Sequence, residues 1–277
     1  MNVREISSNS FPWKYFIIAF TFSWILWFPG ILQSRGVIST PLPLLLFVII
    51  GSFGPFVSSF YLTYRKEAKP GVKRLWKRAL NFKIPIKWLA LIISLPLCIT
   101  GISLYLKILF GGEKPDLQLM TNPIAILVAF LFCFFLGGSF GEEFGWRGYA
   151  LDRLQQKWNA LASSLILGFI WGLWHLPLFF AEGLSQSYIP FWAFLIWTMS
   201  SSIFFTLFHN NTNGNILVAL LFHTMGNLSY GALFPIVEMK HGGDQRGFIY
   251  FIILYAIISM IVVLIWGYKK LSRKVTN

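Results

Sequence analysis

The sequence predicts an all-α, polytopic membrane helix bundle of about eight transmembrane helices, with both termini in the cytoplasm. Three observations predict it. Of 277 residues, 56% are apolar and only 12% are charged, about half the charged share of a typical soluble domain. Eight apolar runs approach the ~20 residues that cross a hydrocarbon core. Lys and Arg gather at the ends of alternate runs, as a topology signal does. Other classes fall away on the same numbers. The 29 Phe and 12 Trp exclude a disordered chain. The net charge of +13 does not point to a nucleic-acid partner, because the basic residues flank apolar runs. Cys98 and Cys133 both lie inside such runs, so no disulfide framework is expected.

The first run, Tyr15–Gln33, follows a polar leader with Arg4 and Lys14. It is too long for a signal-peptide core and no small-residue cleavage site follows, so it reads as a retained span. The second, Pro43–Tyr64, ends at Arg65 to Lys87, a segment with nine basic residues and one acidic residue. Within it Val72–Lys83 alternates apolar and basic residues. It reads either as an amphipathic helix on the anionic leaflet or as a topology determinant alone. The remaining runs are Trp88–Phe110, Pro123–Phe144, Leu161–Phe180, Pro190–Phe208, Ile216–Leu233 and Phe248–Gly267. The leader, the second, fourth and sixth loops and the tail hold 18 of the 23 Lys and Arg. Positive-inside places all of these in the cytoplasm. Residues 1–277 read as a single integral membrane domain. There is no internal repeat, which weighs against a transporter.

Ionisable groups inside spans are costly and need a partner or a task. Three segments carry them. Gly141-Glu142-Glu143-Phe144-Gly145-Trp146-Arg147 ends the fourth run. Adjacent helical residues stand about 100° apart, so the two carboxylates face different ways. Glu143 and Arg147 have the favoured i,i+4 order of a helical ion pair. Glu142 is left without a local cation, which suits a general base or acid, unless both are ordinary interfacial charges. Trp171-Gly172-Leu173-Trp174-His175 lies in the fifth run; read alone, its histidine is a packing residue. His223 and Asn227 share one face of the seventh run, either as site donors or as interhelical glue. If the fourth helix continues through Arg147 and turns at Lys157–Asn159, Glu142 and His175 both stand about 22–24 Å from that turn. The loop Asn210–Asn215, which has no Lys or Arg, would bring His223 to similar depth by dipping inward. His209 and His241 lie at or beyond span ends and read as solvent-facing.

Together these segments resemble the CPBP family, also called the Abi or type II CAAX prenyl endopeptidase family. Its EExxxR motif is similar to Glu142-Glu143-Phe144-Gly145-Trp146-Arg147. Its FxxxH motif is similar to Trp171-Gly172-Leu173-Trp174-His175, with Trp in place of Phe. Its HxxxN motif is similar to His223-Thr224-Met225-Gly226-Asn227. Gly54-Pro55 resembles the Gly-Pro of the family's second span. The motif core runs from Gly138 to Asn227.

The resemblance implies an intramembrane endopeptidase in which Glu142 and His175 activate water near the cytoplasmic side. His223 and Asn227 would stabilise the oxyanion, with Glu143, Arg147 and Trp171 in support. No metal is expected on that reading; the alternative is zinc on Glu142, His175 and His223. The implied partners are the lipid bilayer and a peptide or prenylated protein substrate, in the plasma membrane if the source is bacterial or archaeal. Two rivals stand beside it. One is a non-enzymatic partner of the same family, serving bacteriocin self-immunity or as a scaffold. The other, ranked last, is a transporter using Glu142 and the histidines as a proton relay.

Overall fold

The computed structural model describes residues 11–273. The leader residue Arg4 and the last tail residues lie outside the described part. The eight expected runs all become helical spans long and apolar enough to cross a membrane. In order the helices are α1 (Trp13–Ser34), α2 (Leu44–Gly51), α3 (Gly54–Ala79), α4 (Ile86–Leu109), α5 (Pro123–Phe135), α6 (Ser139–Gly145), α7 (Leu151–Gln155), α8 (Ala160–Trp174), α9 (Phe191–Asn211), α10 (Ile216–Leu228) and α11 (Arg246–Trp266). No strand occurs among the described residues. The protein is an integral, multi-pass membrane protein.

Three spans differ from the continuous helices read from the sequence. The second breaks after α2, and Gly54-Pro55 opens α3, with proline in the first turn where its missing N–H costs nothing. A β-carbon at Gly54 would collide with Ser23 and the Ala19 carbonyl of α1, so only glycine lets the two helices touch there. α3 then runs past Tyr64 to Ala79, kinked at Ala68, whose φ is +49°. The basic stretch is therefore a helix, but it packs on the protein. Leu75 and Ala79 are buried against Phe144, Ile216 and Leu220, while Lys73, Arg74 and Lys77 are exposed.

The fourth span breaks between α5 and α6 at Gly138, whose φ of +104° is accessible to glycine but strained for other residues. A π-turn at Trp146–Ala150 then carries the chain helically through Arg147 into α7. The fifth span is shorter as an α-helix than expected. α8 ends at Trp174, and Pro177 sits in a 3-10 turn, Leu176–Phe180. Its packing on α9 is close because Gly168 faces the Met199 backbone, where a β-carbon would stand 2.6 Å from Met199 Cα.

The loops sort to two faces. On one, the Ala160 and Leu161 N–H groups donate to the Lys269 and Tyr268 carbonyls. Arg78 donates to the Gly214 carbonyl, and Asn210 to that of Lys270. These are the second, fourth and sixth loops and the tail, segments that with the leader hold 18 of the 23 Lys and Arg. On the opposite face Arg35 donates to the Phe180 carbonyl and Arg246 to that of Phe110. There the buried Lys107 pairs with Glu238 at 2.8 Å. That ammonium and the Asp244 N–H hold the Glu238 carboxyl below the ordinary carboxylate range.

Candidate active site

The positive φ at Gly138 turns the chain so that α6 starts inside the bundle. Glu142 stands one turn later, its N–H bonded to the Gly138 carbonyl at 2.9 Å. A β-carbon on Gly138 would lie 2.6 Å from Glu142 Oε1. The carboxylate is buried and has two unlike oxygens. Oε2 accepts from the Trp171 indole N–H at 2.6 Å and from that of Trp146 at 3.1 Å. Oε1 has no donor among the described residues and faces a cavity of about 140 Å³. His175, His223, Asn227 and Tyr230 line the same cavity. The separate segments marked in the sequence thus meet in one place.

Each histidine is fixed through Nδ1. His175 donates from it to the Trp171 carbonyl at 2.9 Å, one turn back on α8. His223 donates from it to Glu143 Oε1 at 2.7 Å. When such a ring is neutral, Nε2 is the atom left to accept a proton or hydrogen bond. Glu143 is fully buried and also takes Arg147 Nη1 at 2.9 and 3.1 Å. Arg147 is itself fully buried. Its Nη2 reaches Ser202 Oγ at 3.2 Å, and its guanidinium lies 3.6 Å from the Phe205 ring centroid. The expected Glu143–Arg147 pair is present. The same carboxylate also accepts the hydrogen bond from His223.

Asn227 uses Nδ2 to hold the Gly137 carbonyl at 2.7 Å. It therefore helps fix the Gly137–Gly138 bend and keeps one N–H for the cavity. Trp171, the aromatic that departs from the family pattern, provides an indole N–H to Glu142 that phenylalanine lacks. Tyr230 was not singled out by the sequence; it lies one turn beyond Asn227 in a π-turn, Ser229–Leu233. No hydrogen bond engages its hydroxyl among the described residues, and an isolated Tyr in an apolar run gives no signal to find it by.

The donor chemistry of Glu142, His175 and His223 suits zinc, and both rings carry outer hydrogen bonds of the kind metal ligands have. The spacing does not. Among the described residues, no three His, Cys, Asp or Glu side chains come close enough together to hold an ion.

His209 departs from expectation. It is buried, and its Nε2 bonds Asp152 Oδ1 at 2.8 Å. The side-chain pair spans 57 residues of sequence, so a reading of local span ends could not find it. His241 is exposed, as expected, and pairs with Glu182.

Residues 124–229 match the sequence model of the family described as Type II CAAX prenyl endopeptidase Rce1-like. The chain is also 30% identical over 234 residues to CAAX prenyl protease 2 of Methanococcus maripaludis, covering 81% of this chain and 86% of that protein. With the motifs gathered around one buried carboxylate in an eight-span bundle, the chain belongs to the type II CAAX prenyl endopeptidase (CPBP) family of intramembrane proteases.

Proposed function

We propose that the protein is an intramembrane endopeptidase that hydrolyses a peptide bond with water activated by Glu142 and His175. One observation carries this reading: a buried carboxylate with one oxygen fixed by two indoles and the other turned, unpartnered among the described residues, into a cavity shared with His175 and His223. Glu142 Oε1 takes a proton from water, with His175 Nε2 orienting it. The hydroxide attacks the peptide carbonyl, and the oxyanion that forms is met by His223 and by the remaining N–H of Asn227. A donor role for His223 needs protons on both ring nitrogens, and Glu143 at 2.7 Å is the counter-charge for that imidazolium. The Tyr230 hydroxyl is a further donor. Glu142 then returns its proton to the departing amine, which breaks the C–N bond.

The substrate reaches the cavity through an apolar wall formed by Leu45, Val48 and Ile49 of α2 and Phe132 and Leu136 near the end of α5. A lipid-modified chain suits that wall. The archaeal relative's name makes a prenylated CAAX peptide the first substrate to try. The charge bias puts the tail-bearing face in the cytoplasm. The cavity wall includes Leu45 and Gln186, which belong to the opposite face. With the tail in the cytoplasm, that lining supports cleavage in the other half of the bilayer rather than near the cytoplasmic side. We keep the charge-based orientation and read substrate entry as lateral, from the half of the bilayer away from the tail.

The test is Glu142→Gln against wild type on a fluorogenic farnesylated peptide. The amide oxygen can accept from both indoles, so the fold persists while the base is gone. General acid–base catalysis is worth about 10²–10⁴-fold, and a loss of that order is expected. Wild-type turnover in the variant would overturn the mechanism. Absence of cleavage by either protein would remove the prenylated substrate and favour the family's non-enzymatic partner role.

A further inference from the structure

Behind His223 and Asn227 lies a small chamber of about 20 Å³, whose wall includes Trp197, Ser201, Gly226 and Tyr255. Trp171, Trp197, His223 and Asn227 border both this chamber and the catalytic cavity, so one partition separates the two spaces. The volume suits one water, which needs about 10–15 Å³ and two to four polar partners.

The partners are at hand. Hydroxyls on helices commonly bond back to a carbonyl of their own helix. In α9 Thr198 and Thr206 do so, to the Leu195 and Ser202 carbonyls. Ser201, between them, does not. Its Oγ is buried and has no hydrogen-bond partner among the described residues. Trp197 stands one turn earlier on the same face of α9. Its indole N–H lies beside the Tyr255 hydroxyl but makes no hydrogen bond of good geometry there. Asn227 uses Nδ2 on the Gly137 carbonyl, and its Oδ1 accepts no hydrogen bond among the described residues. Two buried donors and one amide oxygen thus border a space of one water's size, and buried polar groups are costly without partners.

Gly226 is an independent sign. Glycine inside a helix is destabilising relative to alanine, and a close helix contact is the usual reason to keep it. No such contact exists here. A β-carbon at Gly226 would meet no heavy atom within 4 Å, and the residue has no positive φ. What this glycine preserves is room, at the chamber wall.

We propose that the chamber binds one ordered water, which accepts from Trp197 Nε1 and Ser201 Oγ and donates to Asn227 Oδ1. The water fixes the Asn227 amide, so that Nδ2 stays turned to the Gly137 carbonyl and the catalytic cavity instead of exchanging places with the oxygen. Ser201 and Trp197 are then positioning residues that act through Asn227. That role rests on the proteolytic reading; the water site does not.

Structures of the full chain at a resolution that shows ordered waters test the site. Wild type should show a peak bonded to Trp197 Nε1, Ser201 Oγ and Asn227 Oδ1. Gly226→Ala, whose methyl takes that space, should lack it. No peak in wild type would overturn the site. Gly226→Ala keeps every polar group and favours the helix, so its melting temperature should not fall; a lower one would mean that the glycine serves packing and would overturn the argument. Its kcat should drop about tenfold with KM unchanged, the effect of one neutral hydrogen bond. Ser201→Ala adds no volume and should give a similar drop. Wild-type kcat in either variant would overturn the positioning role, and a rise confined to KM would make the chamber a substrate subsite instead. The peak is read without substrate, so failure of the water site is told apart from failure of the proteolytic mechanism, which Glu142→Gln tests.

Discussion

Replacing Arg147 by Met should unfold the protein more readily, and adding Glu143→Met should restore most of the stability without restoring activity. Arg147 and Glu143 are both fully buried, 2.9 Å apart. Removing only the cation leaves a buried carboxylate with His223 as its remaining charged-capable partner. Breaking a buried pair from one side costs about 3–5 kcal/mol. At roughly 2–4 °C per kcal/mol for chains of this size, the melting temperature should drop by about 6–20 °C. The double variant removes the stranded charge, and an apolar pair of similar volume is often neutral. One debt remains, because His223 Nδ1 loses its acceptor, at about 1–3 kcal/mol. The double variant should therefore melt above Arg147→Met and somewhat below wild type, a strongly non-additive cycle. Its peptidase activity should stay low, since His223 is no longer oriented. Thermal unfolding followed by tryptophan fluorescence gives the first quantity and peptide hydrolysis the second. A melting point for Arg147→Met within about 2 °C of wild type would refute the claim that this pair is a buried charge held only by its partners. Wild-type activity in the double variant would refute the orienting role of Glu143.

Gly138→Ala should abolish turnover while leaving the helices formed. Its β-carbon would stand 2.6 Å from Glu142 Oε1, on a backbone with φ of +104°. Circular dichroism and a rate assay on one preparation check this, and a fully active alanine variant would show that the bend does not set the carboxylate. Tyr230→Phe keeps the ring against Trp197 and removes only the hydroxyl. If that hydroxyl meets the oxyanion, kcat should fall by about 10²-fold with KM unchanged; a change confined to KM would make it a binding residue instead. In a background lacking Cys98 and Cys133, Lys114→Cys should react with an impermeant maleimide on intact cells and Lys157→Cys should not. The reverse pattern would put the tail outside and turn the catalytic cavity toward the cytoplasm.

What the sequence made legible, and what it hid, follows from range. Hydropathy reads twenty residues at a time, and eight spans were visible because lipid and protein interior look alike to an apolar side chain. For the same reason it could not tell α5, which has no buried residue, from α9, which is buried along most of its length. The Glu143–Arg147 pair was legible because i,i+4 is a local relation. Its third member, His223, lies 80 residues away, and nothing in the local pattern joins it to Glu143 rather than to Glu142. The break at Gly138 was hidden in a run that scores as continuous, yet it lets Glu142 project into the cavity while Glu143 stays in the core. The same limit applied to Arg78, Asp152 and His209, three ordinary-looking residues near helix ends whose bonds span 57 and 74 residues. A histidine at a span end reads as solvated until the segments on either side close over it. In this chain local spacing named the chemistry, and long-range contacts between loops and half-helices decided which atom of each side chain faces which cavity.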